Sequence, residues 1–116
     1  MAVTQKTAEN FSIDQGATFS KNFTITTDGT TAYDITGLVL VSQMRKGFDS
    51  SSVTATFTAS VVTAASGIYK LLLSEPTTTQ IEAGRYVYDV ELILADSTVE
   101  KVHYGVITVN PEVTKL

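Results

Sequence analysis

Apolar and polar residues alternate along most of this chain. From Ala17 to Ile25 the odd positions are Ala17, Phe19, Lys21, Phe23 and Ile25, and the even ones are Thr18, Ser20, Asn22 and Thr24. Alternation of period two in a Thr- and Val-rich stretch predicts a strand with one apolar face, and the Lys21 stem can lie along the sheet. Leu38 to Arg45 is apolar at both parities, with Leu38, Leu40 and Met44 on one side and Val39 and Val41 on the other. That is the pattern of a central strand buried on both faces. Val53, Ala55, Phe57, Ala59 and Val61 alternate with Thr54, Thr56, Thr58 and Ser60, predicting one continuous strand. Ile68 to Leu73 places Tyr69, Leu71 and Leu73 on one face. Arg85 to Leu94 carries the strongest strand pattern, with Tyr86, Tyr88, Val90, Leu92 and Leu94 in phase. In Val99 to Val109 the apolar set runs Val102, Tyr104, Val106, then Ile107 and Val109. The change of parity predicts a β-bulge near Gly105.

Turn chemistry punctuates these strands. Thr27-Asp28-Gly29-Thr30, the polar run from Lys46 to Ser52, Ala64-Ala65-Ser66-Gly67 and Ala95-Asp96-Ser97 all read as connections. Ser74-Glu75-Pro76 offers an N-cap and a first-turn proline, enough for a single short helical turn. Pro111 has no N–H to donate and stops the last strand. With a short candidate around Ala8 to Ile13 there are about seven strands and no long helix between them. The expected fold is an all-β, antiparallel, immunoglobulin-like β-sandwich of seven or eight strands in one domain, residues 1–116. Phe19, Phe23, Leu40, Phe57, Leu71, Tyr88, Val90 and Leu92 are the expected core. Residues 1–7 and 110–116 read as extended tails whose removal leaves the fold near its normal stability.

Composition narrows the chemistry. The 116 residues include no cysteine, which excludes disulfides and thiolate metal sites. The formal charge of −4 is mild and gives no basic face for nucleic acid. No apolar run approaches a bilayer span, and the N-terminus lacks the pattern of a secretory leader. The expected setting is synthesis in the cytoplasm, with no nucleic-acid or membrane partner.

Candidate catalytic and ligand-binding residues are few. His103 is the lone histidine, and its place between Val102 and Tyr104 in an alternating strand favours a packing role. No Gly-x-Ser-x-Gly elbow and no glycine-rich phosphate loop occurs. Asp89 and Glu91 share a strand face at a spacing a glycosidase pair or a calcium site uses, but two solvated acids on a strand are the plainer reading. Asp28-Gly29 opens like a calcium loop without the later ligands and reads as a turn. Tyr86, Tyr88 and Tyr104 suit a stacking platform for sugars or bases, or else core packing, with one of them making the hydroxyl-to-backbone bond of a tyrosine corner. The expectation is no catalytic residue, no metal and no cofactor: a protein that is not an enzyme. A glycan-binding module using Asp89, Glu91 and the tyrosines is the rival from another class.

Three stretches carry a resemblance. They are Ile13-Asp14-Gln15-Gly16-Ala17-Thr18-Phe19; Tyr33-Asp34-Ile35-Thr36-Gly37 with the strand ending Met44-Arg45-Lys46; and Ala83-Gly84-Arg85-Tyr86-Val87-Tyr88-Asp89-Val90-Glu91-Leu92, closing with Gly105 to Thr114. Their order resembles small virion proteins of tailed bacteriophages and is similar to the immunoglobulin-like N-terminal domain of phage baseplate upper proteins. The resemblance implies a non-catalytic structural module of the tail, baseplate or neck, present in the virion in many copies and bound to other virion proteins in a symmetric assembly. The sequence stops at Leu116, short of the long part that holds a receptor-binding protein in the baseplate relatives. A capsid decoration (cement) protein is therefore an alternative. The expected partner contacts are the ends: Met1, Ala2, Val3, Thr4, Gln5, Asn110, Pro111, Glu112, Val113 and Leu116.

Overall fold

The computed structural model describes residues 4–114, and within them nine strands form two sheets. They are β1 Thr7–Ala8, β2 Phe11–Asp14, β3 Phe19–Thr24, β4 Val39–Arg45, β5 Ala55–Thr56, β6 Thr58–Thr63, β7 Ile68–Leu73, β8 Gly84–Ile93 and β9 Val99–Asn110. The larger sheet runs β1–β9–β8–β4–β5, with β2 also on β9, and the smaller runs β3–β7–β6. A five-residue helix, α1 Glu75–Thr79, starts after Ser74 as its Pro76 suggests. Ser74 caps no backbone N–H, and its hydroxyl lies 3.0 Å from that of Thr77. Thr78 is fully buried and its hydroxyl donates to the Ala17 carbonyl at 2.9 Å, which pins the turn to the start of β3.

The core lies between the sheets. Ile13, Met44, Tyr88, Val90 and Leu92 meet Phe23, Tyr69 and Leu71 in one cluster. Of the expected core, Phe23, Phe57, Leu71, Tyr88, Val90 and Leu92 are buried, while Phe19 and Leu40 are half-buried. Aromatic contacts run through this core, with Phe11 stacked on Phe19 of the facing sheet at 5.2 Å and edge-on to Tyr88 of its own sheet at 4.9 Å.

Four features depart from the alternation pattern. First, β1 and β2 pair with β9 in parallel, Thr7 opposite His103 and Phe11 opposite Ile107, whereas every other strand pair is antiparallel. Parallel neighbours need a long crossover, and here nearly the whole domain serves as one. Second, the run from Val53 to Val61 is split. Ala55 pairs with Met44 in the larger sheet, while Thr58 to Thr63 pair with β7 in the smaller. Phe57 sits at the switch, buried, with its N–H on the Ser42 carbonyl at 3.0 Å. Third, β4 is buried on one face only. Ser42 and Met44 point inward, and Val39 and Val41 are 54% and 44% exposed on a face that no layer covers. Fourth, the bulge falls at Val102. Val90 faces His103 and Glu91 faces Lys101, leaving Val102 without a partner. Glu100 and Val102 are therefore inward before it, and His103, Ile107 and Val109 after it. Gly105 has a different task, because a Cβ there would lie 2.4 Å from the Glu9 carbonyl oxygen. Only glycine lets the N-terminal segment approach so closely.

Candidate functional site

Both ends of the described chain are bonded to the body, from Thr4 at one end and as far as Glu112 at the other. Thr4 is buried, and its N–H and hydroxyl donate to one carboxylate oxygen of Glu100 at 3.0 and 2.6 Å. The Gln5 N–H donates to Thr26 at 2.8 Å, and Glu9 to Tyr104 at 2.8 Å. At the other end Asn110 closes β9 opposite Asp14, with its side-chain amide on the Asp14 carboxylate at 3.0 Å. Gln15 then acts as a latch. Its amide N–H donates to the Ile81 carbonyl at 2.9 Å, and its amide oxygen accepts from the Glu112 N–H at 3.0 Å. Pro111 is exposed, and Val113 is 94% exposed where the chain leaves the surface. Met1, Ala2, Val3 and Leu116 lie outside the described residues.

The remaining candidates separate. His103 is buried, 2.6 Å by Nδ1 from the Tyr69 hydroxyl and 5.0 Å from the Phe23 ring. Burial pushes its pKa down to about 4, against a hydrogen bond with the Thr24 backbone and with help from the Lys21 charge. Burial likewise raises the Tyr69 hydroxyl far above its ordinary range. The pair is neutral at pH 7 and cements the core. Tyr86 and Tyr88 also face inward, and their hydroxyls donate to the Glu82 carbonyl at 2.7 Å and the Glu9 carbonyl at 2.6 Å. Tyr104 faces outward, so the three tyrosines form no platform. Asp28 accepts from the N–H groups of Thr30 and Thr31 at 2.9 and 2.7 Å, and those bonds hold its pKa near 2. It shapes a turn. Asp89 and Glu91 are half-buried on the outer face of β8, and Lys101 pairs with Asp89 at 3.3 Å.

One concavity gathers the surface chemistry. Of five Phe and five Tyr, only Phe48, at 85%, and Tyr104, at 37%, count as exposed, and both line a single pocket of about 190 Å³. Strand register builds it: Gln43, Asp89 and Tyr104 stand abreast across β4, β8 and β9, with Arg45 opposite Val87 one row away. Arg45 organises the rim. Its Nη2 donates to the Gln43 side-chain oxygen at 3.0 Å and its Nη1 to the Ser50 carbonyl at 2.9 Å, which folds the 46–52 loop and Phe48 over the sheet. Lys6 lies 5.4 Å from the Tyr104 ring centre. Sequence reading singled out Asp89 and Tyr104 but passed over Phe48. The available signal was a lone aromatic in a polar loop, where no alternating strand would bury it.

No protein-family model and no curated protein matches the chain. Among solved structures it is similar to an internalin-like protein, lmo2027, of Listeria monocytogenes, at 14% identity and a TM-score of 0.48. That similarity covers 90% of this chain and 28% of the other, so the chain spans well under two thirds of that protein's length.

Proposed function

We propose that this chain is a non-catalytic assembly module of a tailed-phage particle, built as an immunoglobulin-like sandwich. The strand order supports the fold reading: β3–β7–β6 faces β9–β8–β4–β5, with the first strands added alongside β9. A helical turn precedes β8, and the Tyr86 hydroxyl reaches back to Glu82 at its start, the arrangement of a tyrosine corner. Two residues on, where an antibody domain carries its inter-sheet cysteine, this chain has Tyr88, packed on Phe11.

The observation that carries the assembly reading is the path of the two ends. Because β1 and β2 run parallel to β9, the chain arrives beside Glu100 at the start of β9 and departs at Glu112 beyond its finish. The twelve residues of β9 span roughly 36–40 Å at the usual strand rise, most of the 43 Å longest dimension. Opposite poles let one copy touch neighbours on two sides, as head-to-tail arrays require. The virion setting rests on the resemblance of the Asp14-Gln15-Gly16, Asp34-Ile35-Thr36-Gly37 and Gly84-to-Leu92 stretches. Mass spectrometry of purified particles should find the protein, and fractionation into heads and tails should separate a tail or neck part from a capsid decoration. A chain without residues 1–3 and 113–116 should melt normally and stay out of particles. Normal incorporation would move the contacts to the sheet edges, and absence of the intact protein from particles would end the proposal.

A further inference from the structure

The assembly contacts proposed for the two ends make no use of the pocket on the outer face of β4, β8 and β9. We propose that it binds one neutral sugar unit of a glycan, held between Phe48 and Tyr104.

A sugar ring is amphipathic, with an apolar C–H face and a rim of hydroxyls that each donate and accept. A site for it needs exposed aromatic surface beside fixed polar groups of both kinds. The two exposed aromatics of the chain are both here. Around them Asp89 supplies acceptors, Arg45 and Lys101 supply donors, and Gln43 supplies both. These side chains are already braced. Lys101 holds Asp89 at 3.3 Å, and Arg45 is fixed by Gln43 and the Ser50 carbonyl. Bracing lowers the entropy lost on binding and leaves valences open: Arg45 uses two of its five N–H groups in those bonds.

Lys101 and Asp89 offset one another in the wall, and Arg45 is already bonded to Gln43 and the Ser50 carbonyl, so the lining offers donors and acceptors side by side, the match for the hydroxyls of a neutral ring. Glu91 does not line the pocket, so the second carboxylate of a hydrolytic pair is missing from it, and binding proceeds without cleavage. A single shallow subsite gives millimolar affinity. Copies held in an array would raise it by about 10²–10⁴ through avidity.

The test is a ¹H–¹⁵N NMR titration of the intact chain with the methyl glycosides of glucose, galactose, mannose and N-acetylglucosamine, and with sodium glucuronate. At least one neutral glycoside should give saturable shifts centred on Gly47, Phe48, Val87 and Tyr104. Phe48→Ala should weaken binding at least about tenfold without changing the melting temperature, since that ring is almost wholly in solvent, and Asp89→Asn should weaken it while leaving the spectrum folded. No saturable shift with any neutral glycoside, shifts centred elsewhere, an unchanged response in Phe48→Ala, or tighter binding of glucuronate would each overturn the proposal.

Discussion

His103 shows how one residue's surroundings become a pH dependence. Its pKa falls from 6.5 to about 4 on folding because burial penalises the imidazolium. Between those values the unfolded chain binds the extra proton and the native chain does not. Its stabilising contribution is therefore complete above about pH 6.5 and is lost as pH falls towards 4. The full shift is worth about 3 kcal/mol. Urea unfolding at pH 7 and pH 4.5 should show this loss, and His103→Gln should flatten it. Asp28 stays ionised throughout that window, because its backbone bonds keep its pKa near 2, so its contribution disappears only in stronger acid. The sequence already placed His103 in a strand; the bulge that turns it inward was harder to locate. A parity change between Val102 and Ile107 can be absorbed at any residue between them, and Gly105 attracted the reading. Its glycine answers to Glu9, distant in sequence. Gly105→Ala should cost about 1–3 kcal/mol as an overpacking change, and the Glu9 amide, bonded to Tyr104, should lose hydrogen-exchange protection.

Alternation reveals the face of a strand but not the sheet it belongs to. The apolar positions of 53–61 continue without a break from Ala55 through Phe57 to Ala59, yet β5 and β6 lie in opposite sheets. In a two-layer fold both sheets present one face to the same core, so a chain that crosses between them can keep its parity. β4 misled in a different way. Val39 and Val41 fit a pleated surface whether or not a layer covers them, so apolar residues at both parities did not mean burial on both faces. β8 was legible throughout because its in-phase residues are large and its position is central. Leu40 and Leu92 test the assignment, since they are register partners with unequal burial: Leu92 is fully buried and Leu40 half-buried. Leu92→Ala should cost about 2–5 kcal/mol and Leu40→Ala clearly less, both by denaturant unfolding. Equal losses would mean that the larger sheet packs differently against the smaller.

At the scale of the molecule, what sequence could not supply were the contacts between distant segments. Phe48 joins Tyr104 only because Arg45 draws the 46–52 loop over β8 and β9. Likewise residues 1–7 show no alternating face and read as a tail, yet Thr4 is buried against Glu100 and Thr7 opens the pairing with β9. The segment is held by hydrogen bonds and one carboxylate, which leave no hydrophobic signature. This changes what truncation should do. Removing residues 1–7 deletes two hydrogen bonds to a carboxylate that is only 8% exposed and takes Thr7 from its place opposite His103 on the β9 edge. Bonds to a buried charged group contribute about 1.5–3 kcal/mol each. Thr4→Ala keeps the backbone N–H bond and loses the hydroxyl bond, so its cost should fall near the lower end of that range. A chain starting at residue 8 should lose more and melt at a visibly lower temperature, whereas one starting at residue 4 should melt normally. If the chains starting at residues 4 and 8 melt together, Thr4 and Gln5 are not holding the end of the domain, and the whole N-terminal segment becomes free to engage a partner.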